Sequence, residues 1–360
     1  MAEYFIIFCL IAILAFSDII GIPSRQRKVI LLFEVVILAL FAGLRYDTEI
    51  LDFSAYWDGY LEVARYGVDY SQLSEAAAFE PGYNLLMYLV SWFSPSPILG
   101  FLVIAVLAVG ITLFSYQRYS RYALIAAVIY LSHTFLLREM IQIRAGLAAA
   151  IALWALQYVK QRQPFRFLLA ILLAMSFHLA SGIVLLVYVV YQLNWSRRTW
   201  TILVGLSLVI GLVMPLGHLL STLPGGGIFR RIEAYVWMIS DEPSGLLTNP
   251  TILKQLFFSF LCLQYWDRLT IRVPYFRLLA VSYLMSVCWL MLWNDFPIIA
   301  ARIATFFSIT EPLVVCSTLY LVNKASRPLT TALILLFAFL MLYLNVVVKG
   351  FPAYHLSLLQ

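Results

Sequence analysis

The run Arg138-Glu139-Met140-Ile141-Gln142-Ile143-Arg144 sets two guanidinium groups, a carboxylate and an amide between two apolar stretches. Charges this close to hydrocarbon are costly and are usually there for function. A planar arginine fork matches phosphate oxygens, so these residues fit the holding of an anionic ligand. On a helix Glu139 and Gln142, three apart, would share a face. The plainer alternative is an Arg138–Glu139 pair that locks a hairpin. Arg144 stands directly before Ala145-Gly146-Leu147-Ala148-Ala149-Ala150, small residues that let helices approach closely.

His178 interrupts an apolar run in Phe177-His178-Leu179-Ala180-Ser181. An imidazole changes charge near physiological pH and is the obvious acid or base; tying a kink is its structural alternative. Glu80, in Glu80-Pro81-Gly82-Tyr83, is either a second acid–base group or the acid at a helix start. Arg45 ends an apolar run in Gly43-Leu44-Arg45-Tyr46-Asp47 and reads as a cation for phosphate or a sugar acid, or as a snorkelling arginine. Asp52 and Tyr56 follow in Asp52-Phe53-Ser54-Ala55-Tyr56-Trp57, where aromatic faces stack on sugars and anchor interfaces alike. Arg302 lies just past Asn294-Asp295-Phe296-Pro297, with pairing to Asp295 as its structural alternative. No H-E-x-x-H, G-x-S-x-G or phosphate-binding glycine loop is present, and Cys9, Cys262, Cys288 and Cys316 form no C-x-x-C. Neither a metal nor a cofactor is expected.

The elements that must position these residues are apolar. Of 360 residues 63% are hydrophobic and only 12% charged, against roughly 25% charged in an ordinary soluble domain. The mean hydropathy is +0.91. That balance excludes a cytoplasmic enzyme, a nucleic-acid binder and a disordered tail, since a soluble fold would expose too much apolar surface. The net charge of +6 comes from small basic clusters between apolar runs, the pattern of cytoplasmic loops.

The fold class expected is an all-α polytopic integral membrane protein, one transmembrane domain over 1–360. Apolar runs at 4–22, 29–44, 98–116, 122–137, 141–159, 167–177, 179–193, 199–217, 251–265, 275–293, 298–322 and 329–348 predict about twelve crossings, each needing about 20 residues. The run 83–93 is too short to cross and predicts a re-entrant or half-crossing helix. Residues 165–193 predict two short helices meeting near His178, a break of the kind that marks buried sites. Basic clusters such as Arg25/Arg27/Lys28, Arg118/Arg121, Arg197/Arg198 and Lys324/Arg327 go to the cytoplasm, which puts both termini outside. Two long outer loops result, 45–82 and 218–250, and they hold most of the acidic residues. The second contains Pro224-Gly225-Gly226-Gly227, a flexible turn. On this scheme Arg45, Arg138 or Arg144, His178 and Arg302 line one outward cavity.

GLRYDTEILDFSAYW (43–57), FEPGYNLLMYLVSWF (79–93), REMIQIRAGLAAAI (138–151) and FHLAS (177–181), in that order and spacing, resemble the EpsG-type branch of the Wzy-like bacterial polysaccharide polymerases. The resemblance implies an inverting glycosyltransferase of the bacterial inner membrane with its active face outward. Its substrates would be an undecaprenyl-pyrophosphate-linked oligosaccharide repeat unit and the growing lipid-linked polymer, which becomes O-antigen, capsule or exopolysaccharide. Membrane lipid and a chain-length regulator protein are the further partners it implies, and nucleic acid is not one. By the family's pattern Arg45 and Glu80 match the first-loop positions, Arg144 the arginine before the small-residue helix, and His178 the F-H position. The family commonly shows Arg-Gln at that helix start, whereas here the order is Gln142-Ile143-Arg144, so the sequence leaves open whether Arg138 or Arg144 holds pyrophosphate.

The chemistry agrees with that implication. A pyrophosphate leaving group is already activated, so cations to neutralise developing charge and a base for the acceptor hydroxyl would suffice. An O-antigen-ligase-like transferase shares the donor and the arginines. A transporter or flippase would bind the same lipid without chemistry, and would favour internal repeats, of which none is evident. A membrane acyltransferase would use His178 but has less need of several arginines.

Overall fold

The computed structural model describes residues 1–46, 51–214, 216 and 245–357. Within them every regular element is helical. The order is α1 (Ala2–Ala15), α2 (Ser17–Ile20), α3 (Ser24–Gly43), α4 (Leu51–Tyr66), α5 (Pro81–Ser91), α6 (Pro97–Tyr119), α7 (Ala123–Tyr130), α8 (Leu136–Arg138) and α9 (Ile143–Lys160). It continues with α10 (Pro164–Met175), α11 (Leu185–Gln192), α12 (Arg197–Val213), α13 (Pro250–Gln264), α14 (Trp266–Arg272), α15 (Phe276–Leu292), α16 (Pro297–Ser308), α17 (Glu311–Ser317) and α18 (Arg327–Tyr343). A wide π turn, Leu131–Phe135, joins α7 to α8, and a 3-10 segment, Leu179–Val184, leads into α11.

Local chemistry explains where these helices begin. Pro81, Pro97, Pro164, Pro250 and Pro297 each open one, with the backbone angle already set and no amide hydrogen left unsatisfied. Ser196 and Asn249 cap α12 and α13 by accepting from Thr199 N at 3.2 Å and Thr251 N at 2.9 Å.

Among the described residues, three helices are long and apolar enough to cross a membrane: Ala2–Ile20, Pro97–Tyr119 and Arg327–Val348. A fourth exists if Ile299–Ser308 and Glu311–Tyr320, bent by 51°, count as one span. The chain is thus a multi-pass membrane protein with a few spans, and the expected twelve crossings are not found among the described residues. The alternation that put both termini outside falls with that count. The physical reason is that an apolar run does not by itself distinguish a spanning helix from a core helix. α7 buries every one of its residues inside the protein. Pro164–Met175 has 12 residues and Phe276–Leu292 has 17, short of the roughly 20 a bilayer needs. α3 has the length, but Arg25, Arg27, Lys28 and Glu34 interrupt it.

Within 45–82, Asp52, Asp58 and Glu62 ride on α4, where Phe53, Tyr56, Tyr60 and Val63 are buried at helical spacing and Asp52, Asp58 and Arg65 are exposed. The loop expected at 218–250 lies outside the described residues up to Ser244, and with it His218, Pro224–Gly227, Arg230, Arg231, Glu233, Asp241 and Glu242. Asp47 and Glu49 are outside them too.

The chain divides into two compact units, residues 1–182 with 315–360 and residues 183–314. In the first, α6 packs against α3 and α9, and α9 against α10. The C-terminal stretch returns to the end of α3, where Tyr46 N donates to His355 O and Ser357 N to Leu44 O, each at 2.9 Å. In the second, hydroxyls tie neighbouring helices: Ser282 Oγ donates to Phe307 O at 2.8 Å and Ser286 Oγ to Ala304 O at 2.9 Å. Lys254 and Glu311 form a buried ion pair there.

Candidate functional site

Glu80 precedes α5, and its side chain does not cap that helix. It turns instead to the break after α10. His178 Nδ1 lies 3.0 Å from Glu80 Oε1, and Leu179 N donates to the same oxygen at 3.2 Å. Arg144 Nη1 donates to the other oxygen, Oε2. The carboxylate thus joins three segments that lie far apart in the sequence.

The backbone makes this meeting possible. α10 ends at Met175, and Ser176-Phe177-His178 form the turn into the 3-10 segment. Gly82 N donates to Ser176 O at 2.8 Å, and a Cβ at position 82 would also sit only 2.8 Å from that oxygen. Only glycine lets the two corners touch there.

Burial alone would raise the Glu80 carboxyl. The His178 hydrogen bond and the Arg144 charge outweigh it and hold the group at about 2. Glu80 is therefore ionised and can only accept. Its partner nitrogen on His178, Nδ1, must carry the proton, so a neutral His178 exchanges protons at Nε2. A carboxylate that fixes an imidazole's tautomer and orientation is what a general base needs.

Arg144 is packed as well as paired. Its guanidinium carbon lies 4.2 Å from the centre of the Phe79 ring, 5.4 Å from Tyr56 and 5.9 Å from Tyr83. Three aromatic faces cradle one cation. Arg144 Nε is buried without a hydrogen-bond partner, as is the Tyr83 hydroxyl. The side chains of Arg144, Glu80 and His178 are 20%, 19% and 24% exposed, so solvent and ligand reach all three.

Arg138 and Arg45 are sealed in. Arg138 is 1% exposed and donates from Nη1 to Gln142 Oε1 at 3.1 Å. The chain leaves the helix at Glu139, so Glu139 and Gln142 do not share a helical face. Glu139 is 2% exposed and accepts from the Tyr130 hydroxyl at 2.8 Å. Arg45, 2% exposed, donates to Ala42 O and lies over the rings of Phe53 and Phe101. Asp52 is exposed on the first turn of α4. Arg302 is exposed on α16 in the other unit.

The chain matches the EpsG family over residues 28–357, a stretch that contains all the site residues just described. It belongs to the EpsG family. Like the amylovoran biosynthesis protein AmsC of Erwinia amylovora, to which it is 23% identical over 324 residues, it is matched along most of its length: 87% of this chain and 86% of that protein. No solved structure matches.

Two features of this EpsG family member escape a reading of its sequence. Phe79 and Tyr83 flank Arg144, and their i, i+4 spacing across the start of α5 was the available signal, lost among the many aromatics of an apolar chain. Tyr130, which holds Glu139, sits in a run otherwise aliphatic. Among the described residues no group of three or more His, Cys, Asp or Glu side chains is placed to hold a metal.

Proposed function

We propose that this EpsG family member is a polysaccharide polymerase that works on undecaprenyl-pyrophosphate-linked repeat units at the outer face of the bacterial inner membrane. Membership of the family carries the coarser part, a role in surface-polysaccharide biosynthesis. The observation that supports the finer part is the convergence of Arg144, Glu80 and His178, half-buried and reachable. It joins an oriented base to a cation suited to pyrophosphate.

In the reaction proposed, a hydroxyl at the non-reducing end of an incoming repeat unit attacks the anomeric carbon of the growing chain's reducing end. The new C–O glycosidic bond forms on the face opposite the leaving group, so the configuration inverts. The bond from the anomeric carbon to the pyrophosphate oxygen breaks, and undecaprenyl pyrophosphate departs with the electron pair. His178 Nε2 takes the hydroxyl proton, while Glu80 stabilises the imidazolium. Arg144 faces the leaving group and neutralises its growing charge. Of the two arginines the sequence leaves open, Arg144 is the reachable one and takes this role. Arg45 and Arg138 shape the interior behind it. A chain-length regulator protein is a partner of the same reading.

The test is polymer formation by the purified protein reconstituted with lipid-linked repeat unit alone. A ladder of products that grows with time is expected. Transfer of glycan only to a different added acceptor would make the protein a ligase, and movement of the lipid across the vesicle without new bonds would make it a transporter.

A further inference from the structure

An apolar groove of about 730 Å³ opens in the first unit between α3, α6, α9 and α10. Along α9 it is lined by Leu147, Ile151 and Trp154. With Arg144 these fall at spacings of three, four and three, a single stripe along the helix. Arg144 therefore stands one turn beyond the groove on the face that lines it. From α10 comes Leu173 and from the turn after it Phe177, which is next to His178. Both walls thus run directly into the polar corner.

Along α6 the groove extends from Val106 to Arg118, about 18 Å at the rise of an α-helix. Arg118 is the charged residue in its lining. Gly110 leaves the middle of the wall open: a Cβ there would meet nothing nearer than Val35 Cγ1 at 3.8 Å. Leu173 and Phe114 are 52% and 42% exposed, so the groove is open to the side.

We propose that this groove binds the first isoprene units of a polyprenyl pyrophosphate, with the pyrophosphate at Arg144 and the rest of the chain running out into the bilayer. An apolar channel joined to an anion-binding arginine is complementary to an amphipathic lipid with a charged head and a long branched tail. The groove spans about 18 Å of a hydrocarbon layer about 30 Å thick, so it holds the leading part of the tail only. The inference rests on the polymerase reading for the identity of the head group, yet it concerns binding and requires no turnover.

The probe is undecaprenyl pyrophosphate carrying a diazirine on the isoprene unit next to the pyrophosphate. It is photolysed with the full-length protein in nanodiscs containing phosphatidylglycerol, and the labelled residues are mapped by mass spectrometry. Label is expected on Leu147, Ile151 or Phe177, displaced by unlabelled undecaprenyl pyrophosphate and not by added phosphatidylglycerol. Gly110→Phe should cut it by roughly tenfold, the loss of about two buried methylene contacts, whereas Gly110→Ala should keep it. Label elsewhere on the wild-type protein overturns the proposal without recourse to any variant. So does label that phosphatidylglycerol displaces equally well, which would make the groove a seat for bilayer lipid. Label that survives Arg144→Ala and is lost in Arg118→Ala would put the head group at the opposite end and overturn it too. A labelled groove in a protein that forms no polymer would leave the groove standing and remove the polymerase reading alone.

Discussion

Two arginine-bearing corners of the first unit are built to opposite ends. Around Glu80, Arg144 and His178 a fifth to a quarter of each side chain remains accessible. Around Glu139, Arg138 and Arg45 only 1–2% does. Both corners join charges to aromatic rings, and both were conspicuous as charges in apolar surroundings. Access is what separates them. A charge that no ligand can reach acts through the fold, by holding its neighbours; a charge that a ligand can reach is able to do both. The difference predicts two kinds of failure, one in protein level and one in turnover.

The largest effect should come from the sealed corner. Arg138→Ala strips Glu139 and Gln142 of a buried cation, and breaking such a pairing costs about 3–5 kcal/mol. The expected outcome is loss of folded protein from the membrane, measured by protein level and by thermal unfolding in detergent. An Arg138→Ala protein of normal stability with no polymerase activity would erase the distinction between the corners.

Arg144→Ala should do the reverse. Removing the group proposed to neutralise the leaving pyrophosphate is expected to slow polymerisation by about 10²–10³-fold, with the protein still inserted. Arg144→Lys keeps the charge and loses the planar fork, and should recover only part of the rate. A lysine variant with normal turnover would show that positive potential alone suffices.

His178 comes next. His178→Asn and His178→Gln retain a hydrogen-bonding group but cannot accept the proton, and should polymerise about 100-fold more slowly while still binding lipid-linked repeat unit. The assay is turnover against pH. Near-normal rates in either amide would leave His178 only the task of fastening the break after α10.

Glu80→Gln sharpens the comparison through pH. The folded carboxyl is held at about 2, below its unfolded value. Its contribution to stability is therefore complete above roughly pH 4.5, the ordinary range of a free glutamate. It is lost as the pH falls toward 2. The difference in melting temperature between wild type and Glu80→Gln should shrink over that interval and stay flat above it. A difference that grows on acidification would contradict the ion-pair arrangement. Smallest of all, Tyr56→Phe keeps the ring beside Arg144 and removes only the hydroxyl, and should change turnover by about fivefold at most, since one hydrogen bond contributes a net of about 1 kcal/mol.

Much of the corner around Glu80 is legible in the sequence. Glu80, Arg144 and His178 stood out because each is a charged or titratable group in an apolar run, and the break at Ser176-Phe177-His178 was visible as polarity inside such a run. Their meeting was not legible, since positions 80, 144 and 178 carry no local signal of contact. Nor was the choice between Arg138 and Arg144, which depends on burial set by tertiary packing. The count of crossings failed for a related reason. Leucine and isoleucine satisfy lipid and a protein interior equally, so α7, buried on every side, reads like a span. α4 was hidden by the opposite bias: its acidic face suggested a loop, while Phe53, Tyr56, Tyr60 and Val63 made it a helix.

The reach of Glu80 across the chain has a consequence for biosynthesis. Its two side-chain partners lie 64 and 98 residues further on. A ribosome delivering this chain into the membrane releases the carboxylate first, the guanidinium second and the imidazole last. Glu80 must wait through the emergence of α6 and α9 without its final neighbours, and a nascent chain arrested before Ser176 would hold the ion pair yet lack the histidine. The corner is finished only when the turn after α10 arrives.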